Sequence, residues 1–374
     1  MFEEYFEDIN NVKEILLSVL SLILIVKILP KKRLKPIQGG YVKLISFMIF
    51  MIFLHSMFFS FSTEDSLKEL YMAVLVLLNI YLLNKIYGRY NILKVYKKTI
   101  FSLAVFLLFT SNYLLLFNNS QSYYTDGNFH GITPNSNVLA LYFVFIMPLV
   151  INKLYNSYQE NKNTLLRAFI IFIIIDIFYI VYLTRSRTTL VILLCFSAIS
   201  YFKYEKKLIK KILIVLISLL LGVLLSADFE IYLSKSNSPG DSLTATRENL
   251  WITRVNAIKE KPLIGWGFAV NEYAEVDKYH IYNKKEKGNT VLAVLEEFGM
   301  FFGIFFIYIF SIIFKKAIIN YSKNKNEFYL QLTIIGVLLH SLLETWIFNF
   351  YSLLTFFFWL IIITSFQFQR KIIK

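Results

Sequence analysis

The stretch AFIIFIIIDIFYIVYLTRSRTTLVILLCFSAIS, residues 168–200, contains two apolar runs separated by a short turn that carries two arginines. Each run is close to the roughly 20 residues that a helix needs to cross the hydrocarbon core of a bilayer. Because a bilayer offers no water to exposed backbone groups, such runs fold as helices that satisfy their own hydrogen bonds. The stretch therefore predicts two transmembrane helices joined at one membrane surface.

Similar apolar runs recur along the whole chain of 374 residues, of which 57% are hydrophobic and 17% are charged. A soluble protein of this composition would lack the polar residues to cover its surface. The acidic N-terminus, MFEEYFEDIN, differs from the basic start of a cleavable signal peptide, so the first run is expected to remain in the protein. Runs of roughly 16–22 apolar residues begin near Glu14, Tyr41, Lys68, Thr99, Asn137, Ala168, Thr188, Ile212, Thr290, Tyr329 and Tyr351.

These runs predict an all-α fold, a polytopic membrane bundle of about 11 transmembrane helices that forms one domain over residues 1–374. A long polar connection breaks the pattern at residues 227–288, between the predicted eighth and ninth spans. It carries nine Lys or Arg and nine Asp or Glu residues, so it is neutral as a whole. A catalytic role for this loop must therefore come from the placement of particular residues.

Basic residues set the predicted orientation, because lysines and arginines near short loops are retained in the cytoplasm. The N-terminus is expected outside, the C-terminus in the cytosol and the 227–288 loop on the extracytoplasmic side. The net charge of +14 therefore reflects topology, and its dispersal argues against nucleic-acid binding. The connections that carry 25 of the 39 lysines and arginines are 30–43, 85–98, 152–167, 203–211, 315–325 and 370–374.

The long loop contains the most patterned polar stretch of the chain, TATRENLWITRVNAIKEKPLIGWGFAV, residues 244–270. A helix is predicted over residues 249–261, because the proline that follows disfavours helical geometry before it. Helical spacing puts Arg247 and Arg254 on one face with Trp251 beside them. Such a face is suited to holding an anion at headgroup depth; the alternative is that the arginines only snorkel to lipid phosphates.

Two further groups of polar residues lie on the extracytoplasmic side in this topology. Arg185 and Arg187 occupy the short turn between the sixth and seventh spans, where the charge rule disfavours arginine. Their planar donors match phosphate or diphosphate oxygens, so the turn is a candidate anion site; a tight turn with snorkelling arginines is the alternative. His130 is a candidate base or hydrogen-bond donor, although a lone loop histidine is more often neither.

Five stretches together resemble, in order and topology, the O-antigen ligase/O-antigen polymerase superfamily of bacterial envelope glycosyltransferases. The resemblance covers residues 100–365, and its most specific part is Arg-x-x-x-Trp followed by Pro-Leu-Ile-Gly-Trp-Gly-Phe in a long outer loop. It implies a many-helix bundle with a catalytic outer loop, which transfers a glycan from a polyprenyl-diphosphate carrier to a sugar hydroxyl without a metal ion or other cofactor. The stretches are GNFHGITPNSNVLALYF, YLTRSRTTLV, TRENLWITRVNAIKEKPLIGWGFAV, GNTVLAVLEEFGMFFGIFFIYI and HSLLETWIFNFYSLLTFFFWLI.

The resemblance also implies roles for single residues. Arg187 matches the arginine of the family's Ser-Arg turn, and Arg247 matches the loop arginine before the tryptophan; both are expected to bind the donor diphosphate. Asn137 matches the asparagine that opens the fifth span, Glu297 the Glu-x-Gly motif of the ninth, and Glu344 the acid of the final outer turn. The expected substrate-binding set is Arg185, Arg254, Trp251, His130, Asn137, Asn289 and Glu344.

One position departs from the family pattern. The family carries His-Asn just before the ninth span, the histidine being its candidate base, whereas this chain has Gly288 followed by Asn289. His280, Glu297 or Glu344 are candidates to replace the histidine; alternatively, a good diphosphate leaving group needs little help from a base. The expected catalytic residues are Arg187, Arg247, His280 and Glu297.

The expected function is polymerisation of lipid-linked oligosaccharide repeat units into a surface polysaccharide: O-antigen, capsule or exopolysaccharide. A ligase that moves the glycan to a terminal acceptor is the first alternative, and the missing histidine favours the polymerase over it. A flippase or exporter of the same lipid-linked sugars is the second, although transporters place polar groups near the bilayer midplane. Expected partners are polyprenyl-diphosphate-linked oligosaccharide and membrane lipid, with flippase and chain-length regulator proteins as further candidates, in a bacterial cytoplasmic membrane.

Overall fold

The part of the chain that the structure describes folds almost entirely into helices, as predicted. A computed structural model describes residues 2–28, 40–117, 123–125, 128–160, 163–204, 245–268, 288–323 and 328–366. The helices in these ranges are α1 (Phe2–Ile28), α2 (Gly40–Phe58), α3 (Thr63–Phe117), α4 (Ser136–Gln159), α5 (Thr164–Leu183), α6 (Arg187–Tyr204), α7 (Ala245–Glu260), α8 (Thr290–Lys323), α9 (Phe328–Ser341) and α10 (Leu353–Phe366). One short antiparallel hairpin pairs β1 (Tyr124–Thr125) with β2 (Asn128–Phe129).

The helices support the predicted all-α membrane class, but the number of crossings stays a prediction. Four of the described helices are long and apolar enough to cross a membrane, by length and composition: α3, α4, α5 and residues 290–320 of α8. Shorter apolar helices cover 44–58, 187–200, 328–341 and 353–365. The run expected near Ile212 and most of the 227–288 loop lie outside the described residues.

Two predicted spans share one long helix. α3 includes the runs expected to begin near Lys68 and Thr99, and its backbone is non-helical at Gly88, with φ 71° and ψ 157°. Glycine reaches such angles without the penalty that a Cβ imposes. A Cβ at this position would meet nothing within 4 Å, so the bend depends on backbone conformation and not on close packing.

The contacts group the chain into two compact units. The first unit combines residues 1–95, 249–316 and 341–374. The second combines residues 96–248 and 317–340. Each unit is built from separate segments of the chain. The even spacing of the apolar runs in the sequence therefore gives no sign of the two units.

In the second unit, α4 lies against both α5 and α6. Asparagines begin two of these helices: Asn135 Oδ1 accepts a hydrogen bond from Val138 N (2.8 Å), and Asn163 Oδ1 accepts one from Leu165 N (2.9 Å). The connections from α4 to α5 and from α5 to α6 are only a few residues long, so the three helices alternate in direction. The start of α4, the end of α5 and the start of α6 therefore lie at one end of this group.

In the first unit, α8 is interrupted at Gly299, where φ is 64° and ψ is −175°. A helix end leaves its last carbonyls without partners inside the helix. Here the loop before α8 supplies the backbone amides that donate to these carbonyls. Trp266 N donates to Glu296 O (2.9 Å), and Gly267 N donates to Glu297 O (2.9 Å).

The same loop also satisfies the amides that follow the break. Met300 N donates to Pro262 O (2.8 Å), and Phe301 N donates to Leu263 O (3.1 Å). Residues 262–267, the PLIGWG stretch, therefore complete both halves of the interrupted helix. These backbone hydrogen bonds explain why the polar loop ends in PLIGWG and why the apolar helix that follows it contains an internal glycine.

Glycines allow the two backbones to approach each other. Gly265 has φ 72°, and a Cβ built there would lie 2.5 Å from Glu297 O. A Cβ built on Gly299 would overlap the backbone of Leu263. Both positions therefore require glycine for conformation and for space.

The first helices of the same unit hold the loop from another side. Three hydrogen bonds connect the loop to the segment that runs from α2 to the start of α3. The loop is therefore bonded both to α8 and to this segment. These bonds join His55 Nε2 with Ile264 O (2.6 Å), Phe61 N with Trp266 O (2.7 Å) and Ser66 Oγ with Phe268 O (2.7 Å).

Replacing Gly299 by alanine is expected to destabilise the protein more than replacing Gly88 by alanine. Both glycines combine positive φ with extended ψ, so each substitution costs about 1–3 kcal/mol of backbone strain. Only at Gly299 would the new Cβ also overlap backbone atoms. Thermal unfolding midpoints in detergent, measured by fluorescence-detected size-exclusion chromatography, test this difference. Equal midpoints for the two variants would contradict the close approach.

Candidate functional site

The turn between α5 and α6 holds its two arginines on a well-defined backbone. Arg185 N donates to Tyr182 O (3.0 Å), and Ser186 N donates to Thr184 Oγ1 (3.3 Å). Arg185 has φ 52°, a left-handed conformation that costs a residue with a Cβ about 1–2 kcal/mol. Strained residues of this kind persist where the surroundings fix them, and they cluster at binding and catalytic sites.

Arg187 is the first residue of α6, at the positive end of the helix dipole. Its side chain is half-buried. A buried hydrogen bond spans this first turn of α6, because Ser186 Oγ donates to Thr189 Oγ1 (3.1 Å). A helix start with arginine in its first turn has the charge and the donors that an anion requires.

His130 and Asn137 lie at the start of α4, the same end of the α4–α5–α6 group as the arginine turn. His130 Nδ1 is 2.7 Å from Thr133 O. Because a carbonyl only accepts hydrogen bonds, Nδ1 carries the proton, and Nε2 is the acceptor atom of the neutral ring. Asn137 is half-buried in the first turn of α4, where its neighbour Asn135 makes the capping bond.

Helix α7, Ala245–Glu260, agrees with the helix predicted over residues 249–261. Arg247 belongs to its first turn, but the Arg247 side chain lies outside the described residues. His280 lies outside them altogether. The roles predicted for both residues therefore remain predictions.

Arg254 has an internal partner, although the sequence predicts it on an anion-binding face. Its side chain is 2% exposed, and Nη1 donates to Glu296 Oε1 at 2.7 Å. The Glu296 side chain is 0% exposed, so the two charges are buried together. The pair connects α7 to the first half of α8. It gives Arg254 a structural role, and its predicted contact with substrate remains a prediction.

Asn289 caps α8 with the oxygen of its side-chain amide and binds a second segment with the nitrogen. Asn289 Oδ1 accepts from Val291 N (2.7 Å) and Leu292 N (3.0 Å), while Nδ2 donates to Leu342 O (2.6 Å). These contacts fix the start of α8 against the segment after α9. The predicted role of Asn289 in substrate binding remains a prediction beside this structural one.

Gly288 occupies the position at which the superfamily resembled by the sequence carries its histidine. Its φ is 65°, a conformation in which histidine would be strained. Half-buried Trp251 donates from Nε1 to Gly288 O (3.3 Å), which ties α7 to the residues just before α8. The missing histidine is therefore accompanied by a backbone that favours glycine.

The two predicted acids near α8 are both buried. Glu297 is 6% exposed and precedes the break in α8, and its carbonyl is fixed by the loop. Glu344 is 8% exposed, and its carbonyl accepts a hydrogen bond from Thr290 Oγ1 (3.3 Å). A carboxylate held away from bulk water on a fixed backbone is a candidate proton acceptor.

Three titratable residues near the loop were not singled out from the sequence: Glu296, His55 and Glu69. His55 is 0% exposed, and its Nδ1 has no hydrogen-bond partner in the part of the chain that the structure describes. One carboxylate oxygen of Glu69 is also buried without such a partner there, and Glu69 interacts electrostatically with Glu297. The cost of a titratable group inside an apolar run is a signal that could have identified His55 and Glu296.

Removing one member of the Arg254–Glu296 pair is expected to be more harmful than removing both. Arg254→Met or Glu296→Leu leaves one buried charge without this partner, which costs about 3–5 kcal/mol. The double variant removes both buried charges and should unfold at a higher temperature than either single variant. Unfolding midpoints in detergent provide the measurement. A double variant that unfolds at or below the temperature of either single variant would contradict this prediction.

Comparison with known proteins adds to this geometry. Residues 168–308 match the sequence model of the O-antigen ligase family. The matched residues include the arginine turn, α7, the PLIGWG loop and the break in α8. A search of curated proteins finds no match to the chain. The match confirms, over these residues, the resemblance to the O-antigen ligase/polymerase superfamily found in the sequence, and the chemistry of that family is glycosyl transfer with a lipid-linked oligosaccharide substrate. Together with the apolar helices, the match indicates a multi-pass bacterial membrane protein.

Proposed function

We propose that this protein is a polymerase that joins polyprenyl-diphosphate-linked oligosaccharide units into a surface polysaccharide on the outer face of the cytoplasmic membrane. The observation that carries the proposal is the O-antigen ligase match over residues 168–308, which includes both Arg187 and Arg247. In this reaction the carrier diphosphate is the leaving group, and the transfer needs neither a metal ion nor a nucleotide sugar.

The donor diphosphate is bound by Arg187 and Arg247. As the bond from the anomeric carbon to the phosphate oxygen breaks, negative charge grows on the diphosphate, and fixed guanidinium groups stabilise it. The turn before α6 supports this assignment, because a helix start attracts anions and the strained Arg185 backbone indicates a constrained site. Arg185, two residues before Arg187, is a further donor that we assign to the same anion.

The acceptor is a sugar hydroxyl of another lipid-linked unit, and it loses a proton as its oxygen attacks the anomeric carbon. We assign Glu297 as the proton acceptor, since its carboxylate is buried and its backbone is fixed by Gly267. His280 and Glu344 remain alternatives. The polymerase is favoured over the ligase because Gly288 replaces the family histidine in a conformation that disfavours histidine.

A flippase or exporter of the same lipid-linked sugars is the alternative from another class. Transporters bind substrates at broken helices near the bilayer midplane, and α8 is broken at Gly299. However, residues 262–267 already satisfy the backbone groups at that break. Asp176, a charged residue inside a predicted span, likewise accepts a hydrogen bond from Asn112 Nδ2 (2.7 Å). These internal partners favour the enzyme.

Arg187→Lys and Arg247→Lys are each expected to abolish long-chain surface polysaccharide while the protein still inserts into the membrane. Lysine keeps the positive charge but loses the planar fork that binds two diphosphate oxygens. The chain-length profile on a gel measures activity, and an immunoblot of the membrane fraction measures insertion.

The matched control is Arg167→Lys, on a predicted cytosolic connection, where the guanidinium lies 4.5 Å from the ring centroid of Tyr158. This variant should retain the wild-type chain-length profile, because its arginine has no part in the proposed site. Wild-type chain lengths in both Arg187→Lys and Arg247→Lys would exclude the proposed diphosphate site.

Deleting the gene is expected to leave surface glycan of single repeat length. A polymerase is needed only to extend the chain, so units still reach their acceptor without it. Loss of a ligase would instead leave the surface acceptor without glycan, and loss of a flippase would leave repeat units facing the cytosol. Gel profiles of the surface glycan, combined with labelling of the lipid-linked sugars that are accessible on each face of the membrane, separate the three outcomes.

A further inference from the structure

An exposed apolar patch surrounds the PLIGWG loop in the first unit. Phe58 is 72% exposed, Leu263 67% and Phe301 74%. The hydrogen bond between the backbones of Leu263 and Phe301 makes the two sides of the patch continuous. A large exposed apolar surface of this kind marks an interaction site. The patch is formed by Phe58, Phe59, Phe61, Leu263, Ile264 and Phe301.

The patch continues helix faces that a bilayer covers. On the long apolar helix α8, Phe301, Ile304 and Tyr308 are exposed at helical spacing, so the patch extends into a stripe along a membrane-crossing helix. α2 lies beside this helix, because the rings of Phe47 and Phe305 are 5.2 Å apart. Phe47 is itself exposed, and α2 ends at Phe58 within the patch.

The loop backbone also fits an environment without water. Non-helical backbone is tolerated at membrane depth only where protein groups satisfy its polar atoms. Four successive loop carbonyls have such partners, while the exposed side chains between them are apolar. The carbonyls of Lys261, Pro262, Leu263 and Ile264 are bonded to Gly265 N, Met300 N, Phe301 N and His55 Nε2.

Lys261 marks the boundary of the patch. Its Nζ lies 4.1 Å from the ring centroid of Trp266 and 5.4 Å from that of Phe61. An ammonium group beside aromatic rings is typical of the membrane interface, where the charge reaches the headgroups and the rings reach the acyl chains. The preceding residues, Lys259 and Glu260, are exposed and charged, so polarity changes sharply along the chain at this point.

We propose that residues 262–268 form a re-entrant element whose exposed side chains contact the acyl chains of the membrane, with Lys261 at headgroup level. The sequence predicts an extracytoplasmic loop here, so insertion of residues 262–268 into the acyl-chain region is an additional property. Lipid is the partner because the patch is continuous with the apolar faces of α2 and α8. The element holds α7 at the membrane surface, and it does so whether or not the protein is a polymerase.

Site-directed spin labelling tests the proposal without using any activity. Cys195, the chain's one cysteine, is exposed, so it is first replaced in a Cys195→Ser background. Leu263→Cys is then labelled with a nitroxide in vesicles of phosphatidylethanolamine and phosphatidylglycerol. Collisions with oxygen, which concentrates in acyl chains, are compared with collisions with a water-soluble nickel chelate. Glu260→Cys is the aqueous control and Tyr308→Cys the lipid control.

The label at position 263 is expected to behave like the label at 308, with frequent oxygen collisions and few nickel collisions, and unlike the label at 260. Phe301→Cys, on the helix side of the patch, is a second variant in case Leu263→Cys does not fold, and it should give the lipid pattern. Nickel collisions at 263 or 301 as frequent as those at 260 would overturn the proposal. That outcome would leave the polymerase proposal untouched, because glycosyl transfer is tested by other variants.

Discussion

The hydrogen bonding between residues 262–267 and the interrupted helix α8 is the constraint on which the first unit depends. A break inside an apolar helix leaves carbonyls on one side and amides on the other without partners in the helix. Burying one such group without a hydrogen bond costs about 2–7 kcal/mol. The loop satisfies Glu296 and Glu297 before the break and Met300 and Phe301 after it. Neither partner would be stable alone in this conformation, so loop and helix form one structural element.

This element also determines where α7 lies. Trp266 Nε1 donates to Ala257 O (2.9 Å), which bonds the loop back to the last turn of α7. The Arg254–Glu296 pair makes a second connection, at the middle of α7. Two adjacent glutamates consequently have separate tasks: Glu296 neutralises a buried arginine, while Glu297 is the acid to which we assign a role in the chemistry. Fixing α7 in this way restricts the movement of the arginine face that it carries.

The sequence contains enough information for the helices and the arginine turn, because apolar runs and basic connections have direct physical meanings in a membrane. Pro262 likewise marked the end of α7. The break at Gly299 could not be predicted, since Gly303, four residues later in the same apolar run, remains helical and packs near Leu295. Arg254 shows the same limit. Helical spacing assigned it to a face, but only the position of Glu296 determines what that face contacts.

The order of the two partners along the chain has a consequence for biogenesis. Translation produces the PLIGWG loop before α8, so the complementary backbone groups are already present when the interrupted segment leaves the ribosome and enters the membrane. The translocation machinery therefore never has to release a broken helix into lipid with its polar groups uncovered.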